Sequence, residues 1–191
     1  MKRLVAFGDS NTRYWLGSKG EPGPLGAAWP ARLEGLLREA GAEVSVENAG
    51  VPGGGTADAR EDFGRVTAGA DAVILAFGTN DVKRPEAALE GYTADLEAIF
   101  RQNGARPLLA LSILWFDRGY GFDGSQARLA PWNGAAGALC RRHGVRFLDT
   151  TEVFAGHTAW YNDRPAHHLT AEGQERLARA VFEDWKKWSE K

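Results

Sequence analysis

The stretch Leu4-Val5-Ala6-Phe7-Gly8-Asp9-Ser10-Asn11 decides the fold. Its first four residues are continuously apolar, which suits a strand covered on both faces, as in a parallel sheet. Gly8-Asp9-Ser10-Asn11 then breaks the run with turn-forming residues. Four further apolar runs, Val44 to Val46, Ala72 to Phe77, Pro107 to Leu114 and Val145 to Leu148, read as strands of the same kind.

Helical patterns lie between these runs. Trp29-Pro30-Ala31 opens a helix with proline near its first position, and Gly41 closes it after Leu33, Leu36 and Leu37 have lined one face. Thr56 is the expected N-cap of the next helix, and Pro85 starts a longer one running to about Asn103-Gly104. Trp132 to His143 ends at Gly144, and Thr170 caps a last helix rich in Leu177, Val181, Phe182 and Trp185. Strands alternating with helices imply right-handed βαβ crossovers and a three-layer α/β/α sandwich around a five-stranded, mostly parallel sheet. No repeat or linker interrupts the pattern, so residues 1–191 read as a single domain. Two long loops stand out, Thr12 to Ala28 and Trp115 to Pro131.

Composition narrows the function classes. Hydrophobic residues make up 43% and charged residues 25% of the 191, enough to fill a core. A net charge of −2 and a pI of about 6.1 leave no basic footprint for nucleic acid or an anionic membrane. The lone Cys140 excludes an intramolecular disulfide and reads as a small buried hydrophobe in an apolar helix. The apolar run near Met1 is too short for a signal-peptide core or a membrane span, so membrane insertion is not expected and a cytoplasmic location is the default expectation.

In open α/β sheets the ligand site lies beyond the carboxyl ends of the strands. The first strand runs into Gly8-Asp9-Ser10-Asn11, and the second into Asn48-Ala49-Gly50-Val51-Pro52-Gly53-Gly54-Gly55-Thr56. The third runs into Gly78-Thr79-Asn80-Asp81, and His167-His168-Leu169-Thr170-Ala171-Glu172-Gly173 follows the fifth. All four blocks can therefore converge on one sheet edge. Taken alone, the first block is as well explained by a Ser/Asn turn that caps the segment after it.

Together, in this order, the blocks resemble those of the SGNH (GDSL-type) hydrolases, a family of esterases, lipases and carbohydrate deacetylases on a flavodoxin-like sandwich. The resemblance covers essentially the whole chain. It implies a cofactor-free serine ester hydrolase in which Ser10 attacks the ester carbonyl. A histidine would remove its proton and return it to the leaving alcohol. The oxyanion would be met by Ser10 N–H, a glycine N–H and the Asn80 side chain. The family pattern Asn-x-x-x-x-Gly places that glycine at Gly53, with Gly50 the alternative. Asp9 and Asp81 are expected to pin the loops by accepting backbone hydrogen bonds.

His168 matches the family's His-Leu-x-x-x-Gly pattern, and His167 does not share that register. His167 is then a pocket or structural residue, and His143 a surface residue favoured by the helix dipole. His157 lies in an aromatic loop where it can meet substrate. The family's aspartate three residues before the histidine is missing, because Pro165 stands there. Asp163, five residues before His168, is the nearest carboxylate and the expected third member. The alternatives are a backbone carbonyl in that role, leaving a Ser–His dyad, or reduced activity.

Other chemistries are disfavoured. No Gly-x-Ser-x-Gly elbow, phosphate loop or metal-ligand spacing occurs, and the glycine run Gly53-Gly54-Gly55 lacks the dinucleotide-binding register, so no cofactor and no metal are expected. A non-catalytic module binding an anion at a loop–helix junction is the competing reading. Trp15, Trp115, Phe116, Tyr120, Phe122, Trp160 and Tyr161 fall near the strand-end loops, where they either pack the loops down or contact substrate. A short-chain acyl ester is the expected substrate, an O-acetyl group on carbohydrate being its specific form. Thioester or peptide side activity and homo-oligomerisation stay open.

Overall fold

The computed structural model describes residues 1–16, 21–84, 88–115, 126–162 and 167–189. Five strands form one sheet: β1 (Lys2–Gly8), β2 (Val44–Gly50), β3 (Ala72–Ala76), β4 (Leu108–Leu111) and β5 (Arg146–Leu148). Their spatial order is β2-β1-β3-β4-β5 and every pairing is parallel. This is the flavodoxin-like order, in which the chain steps outward from β1 to β2 and then returns to β1's other side. The switch point therefore lies at the carboxyl ends of β1 and β3. The register makes those ends level, because Gly8 pairs with Gly50 on one side and with Ala76 on the other.

The central strands are apolar throughout because helices cover both faces. Leu4, Val5, Ala6, Val73 and Ile74 are fully buried. The helices are α1 (Ser10–Arg13), α2 (Trp29–Glu39), α3 (Thr56–Val66), α4 (Thr79–Lys83), α5 (Leu89–Asn103), α6 (Gln126–His143), α7 (Thr151–Phe154) and α8 (Ala171–Ser189). α2 packs on α8, while α3 and α6 flank α5, giving the three-layer sandwich expected from the alternation. Burying side chains the size of Ile74, Leu33 or Phe63 contributes roughly 1.5–3 kcal/mol each. No helix among the described residues is long and apolar enough to cross a membrane.

Several element boundaries depart from the sequence reading. Thr56 is not an N-cap but the first residue of α3, and Gly55 takes the cap position. The Thr56 hydroxyl donates instead to Asp81 Oδ1 at 2.6 Å, while Asp58 accepts the Gly55 N–H at 2.8 Å. The fourth strand stops at Leu111 because Asn133, from α6, takes the Ile113 N–H at 2.8 Å and also hydrogen-bonds its carbonyl.

Helix α6 starts at Gln126, so the end of the second long loop is helical, with Pro131 inside it. Pro131 forfeits one backbone hydrogen bond, but Leu129, Trp132, Ala136, Leu139 and Cys140 anchor the same helix in the core. α5 begins at Leu89, and the expected start at Pro85 lies outside the described residues, as do Phe116, Tyr120 and Phe122. The first long loop carries a two-stranded ribbon, Trp15–Leu16 against Glu21–Pro22. At its base Tyr14 adopts φ 62° and its carbonyl accepts the Gly23 N–H at 2.7 Å. A Cβ on Gly23 would stand 2.5 Å from the Tyr14 ring, so glycine is required there.

Candidate active site

Ser10 is the first residue of α1, directly after β1 and the cap residue Asp9. Its N–H, at a helix N-terminus, has no intrahelical acceptor, and its side chain is almost wholly buried. Asp9 accepts the Asn11 N–H at 2.8 Å and so holds the turn, as the sequence implied. Burial pushes the Asp9 carboxyl up to about 6. Hydrogen bonds from Asn11 and Thr79 and the nearby Lys83 oppose that rise, and Asp81 adds to it.

His168 comes from the far end of the chain, yet its Nε2 lies 3.1 Å from Ser10 Oγ. That is hydrogen-bond reach for a nucleophile and its base. The structure thus selects His168 over His167 for contact with Ser10. His167 is also buried, with its ring 3.9 Å from that of His168 and tilted by 44°. Asp163 lies outside the described residues.

The loop after β2 is fastened on both sides. Asn48 Nδ2 donates to Thr12 O at 2.7 Å, and Asn48 Oδ1 accepts the Gly50 N–H at 3.0 Å. A Cβ on Gly50 would come within 2.2 Å of Arg13 N, so only glycine lets β2 close against α1. Gly54 N–H turns back to Val51 O at 3.0 Å. Gly53, at φ 77°, occupies the left-handed region, and its N–H donates to no described group.

Asn80, in α4, donates from Nδ2 to Gly54 O at 2.9 Å. This leaves the second hydrogen of the same amide for another acceptor. Asp81 accepts both the N–H (2.9 Å) and the hydroxyl of Thr56, tying the Gly-Thr-Asn-Asp turn to the start of α3. The loops after β2 and β3 therefore form one braced unit beside Ser10.

The other singled-out residues have structural partners. His143 is half-buried, with Nε2 3.1 Å from Glu97 Oε1 and its ring beside Phe100, so it is more than a dipole-favoured surface group. The same contact lowers the Glu97 carboxyl below its ordinary range. His157 stacks flat on Trp160 at 4.0 Å, and Arg176 lies over the Trp160 ring at 5.3 Å. Tyr161 is buried edge-on to Trp115 and donates its hydroxyl to the Trp115 carbonyl. These aromatics pack the loops down. Cys140 is fully buried, and burial pushes its thiol up to about 12, which fits an inert core position.

Sequence reasoning passed over three residues that hold the site. Asn11 hydrogen-bonds the backbone on both sides of His168. Gln174, fully buried, donates to Asn11 O at 2.9 Å and accepts the Trp29 N–H at 2.7 Å. Asn162 donates its N–H to His168 O and its side-chain amide to Leu169 O, each at 2.7 Å. Only Asn11 carried a signal, its place beside Ser10.

Solved structures share this architecture. A lipase/acylhydrolase from Enterococcus faecalis superposes with a TM-score of 0.84 at 22% identity, covering 98% of this chain and 96% of that one. An acetylxylan esterase from Geobacillus stearothermophilus gives 0.78 at 20% identity, over 95% and 93%. An alpha/beta hydrolase enzyme from the metagenome of Lake Arreo, Spain, gives 0.78 at 22%, over 94% and 93%. At these identities the likeness establishes the fold. No curated protein sequence matches. The model of the GDSL-like Lipase/Acylhydrolase family matches residues 6–176, nearly the full span from β1 into α8, and the chain belongs to that family of hydrolases.

Proposed function

We propose that this hydrolase is a serine esterase acting on short-chain acyl esters, with Ser10 as nucleophile and His168 as general base. The observation that carries the reading is the 3.1 Å contact between Ser10 Oγ and His168 Nε2, both side chains being buried at the carboxyl edge of the sheet. His168 takes the serine proton as Ser10 Oγ adds to the acyl carbonyl, then delivers it to the departing alkoxide. Water repeats the sequence on the acyl-enzyme and releases the acid. The mechanism calls on no metal or cofactor.

The oxyanion of each tetrahedral intermediate is held by Ser10 N–H, Gly53 N–H and the Asn80 amide. Support for Gly53 over Gly50 comes from hydrogen bonding, since the Gly50 N–H is already committed to Asn48 Oδ1. Support for Asn80 comes from its bond to Gly54 O, which fixes the amide plane before substrate arrives. Asp163 is the proposed orienter of His168. In the Geobacillus esterase, catalytic mutants replace a histidine and an aspartate three positions before it. This chain has Pro165 at that spacing, and Asp163, two residues before it, is the nearest carboxylate.

For the substrate, an O-acetyl group on carbohydrate is the specific form, a choice supported by the acetylxylan esterase among the structural neighbours. Hydrolysis of p-nitrophenyl acetate, butyrate and octanoate tests the reading, with Ser10→Ala, His168→Ala and Asp163→Asn beside the parent chain. Activity that falls with chain length and drops by orders of magnitude, to a small residual rate, in the first two variants is the expected outcome. Loss in Asp163→Asn marks a triad, and retention marks a dyad. An active Ser10→Ala refutes Ser10 as the nucleophile, and a parent chain inert on all three esters favours the binding module.

A further inference from the structure

We infer that Asn11 is a positioning residue that holds the His168 imidazole against Ser10 by clamping the peptide units on either side of it. The inference rests on the Ser10–His168 assignment. Ser10 and His168 are 158 positions apart in sequence, so no local backbone geometry sets their separation. Asn11 supplies the link. Its Nδ2 donates to His167 O at 2.9 Å, and its Oδ1 accepts the Leu169 N–H at 3.0 Å. One carboxamide therefore grips the residues before and after His168, while its own backbone is bonded directly to that of Ser10.

The clamp is itself immobilised. Asn11 is buried, its N–H is held by Asp9 Oδ1 and its carbonyl by Gln174 Nε2. Gln174 reaches on to the first residue of α2 through Trp29 N–H, so the anchor continues into the helical layer. On its other side the histidine segment is braced by Asn162 and by the bridge between Tyr161 and Leu169.

The chemistry of the clamp calls for asparagine. It needs a donor facing the His167 carbonyl and an acceptor facing the Leu169 N–H, on one rigid plane. Aspartate of the same shape keeps the acceptor but sets an oxygen against the His167 carbonyl. Alanine keeps neither. Releasing the clamp lets the imidazole drift from Ser10 Oγ, and a misplacement of about 1 Å is enough to cost about 10²-fold in rate.

A double-mutant cycle with p-nitrophenyl acetate tests this. kcat, KM and melting temperature are measured for the parent chain, Asn11→Ala, Asn11→Asp, His168→Ala and Asn11→Ala/His168→Ala. Both single Asn11 variants are expected to lose about 10²-fold in kcat with KM within about twofold, the signature of an interaction that matters only in the transition state. In the His168→Ala background, Asn11→Ala is expected to change the residual rate by less than about threefold, because its effect passes through the missing ring. An equal loss in both backgrounds would overturn the inference, since a disturbed fold or oxyanion hole is felt without His168. So would near-parent kcat in the Asn11 variants beside a strongly impaired His168→Ala. If His168→Ala itself keeps its activity, the assignment of the base fails and the clamp with it. Should Asn11→Ala fail to fold, the near-isosteric Asn11→Asp carries the cycle, with Asn11→Asp/His168→Ala as its double variant.

Discussion

Replacing Asp9 by asparagine should make the protein more stable at neutral pH and remove a pH dependence that the native carboxyl imposes. Asp9 is buried at the end of β1, and its pKa rises from about 3.8 to about 6, chiefly through burial. The folded state therefore keeps a proton between those values that the unfolded chain has already lost. Stability from this group is fullest below about 3.8 and falls as pH climbs through about 6. Above that, the buried anion costs about 3 kcal/mol relative to the protonated form, a shift of roughly two units at 1.36 kcal/mol each. Asparagine keeps the oxygen that accepts the Asn11 N–H and cannot ionise. Urea unfolding of both chains at pH 4, 5, 6 and 7.5 isolates the effect, because other carboxylates titrate alike in each. The difference in unfolding free energy should swing by about 2–2.5 kcal/mol toward Asp9→Asn between pH 4 and pH 7.5. Parallel curves, or a swing the other way, would refute the reasoning. They would mean that the Asn11 and Thr79 hydrogen bonds and Lys83 outweigh desolvation.

Asn80→Ala should lower kcat by about 10²–10³-fold with little change in KM, since it removes one of the three proposed oxyanion donors. Steady-state kinetics on p-nitrophenyl acetate checks this, and a change confined to KM would speak against the role. Gly78→Ala should destabilise by about 2–5 kcal/mol in urea melts, through backbone strain and overpacking together. Gly78 sits at φ 128°, and an added Cβ would stand 2.4 Å from Ile113 Cγ1. A loss below about 1 kcal/mol would show that the turn can relax.

The strand cores were legible because burial on both faces forces continuous apolar runs, and a run such as Leu4 to Phe7 has no competing periodicity. The strand-end blocks were legible for a related reason, since close approach and left-handed backbone at Gly50, Gly53 and Gly78 leave few choices of residue. Ends were harder. Thr56 has the composition of a cap, but a carboxylate 25 positions away claimed its hydroxyl. The fourth strand looked longer because Ile113 and Leu114 stay buried after leaving the ladder, and only Asn133 reveals the departure. Asn11 and Gln174 were invisible as a pair because their partnership spans 163 positions and follows no local period. His167 and His168 illustrate the middle ground: the pattern around Leu169 favoured one ring, and geometry brings that ring to Ser10.

The central claim is that Ser10 is an activated nucleophile, and covalent labelling tests it most directly. The chain is incubated with a p-nitrophenyl alkylphosphonate, digested, and the modified peptide located by mass spectrometry. The account predicts a single adduct on Ser10, absent in Ser10→Ala and formed far more slowly in His168→Ala. No adduct, or an adduct elsewhere with Ser10 unmodified, would contradict it.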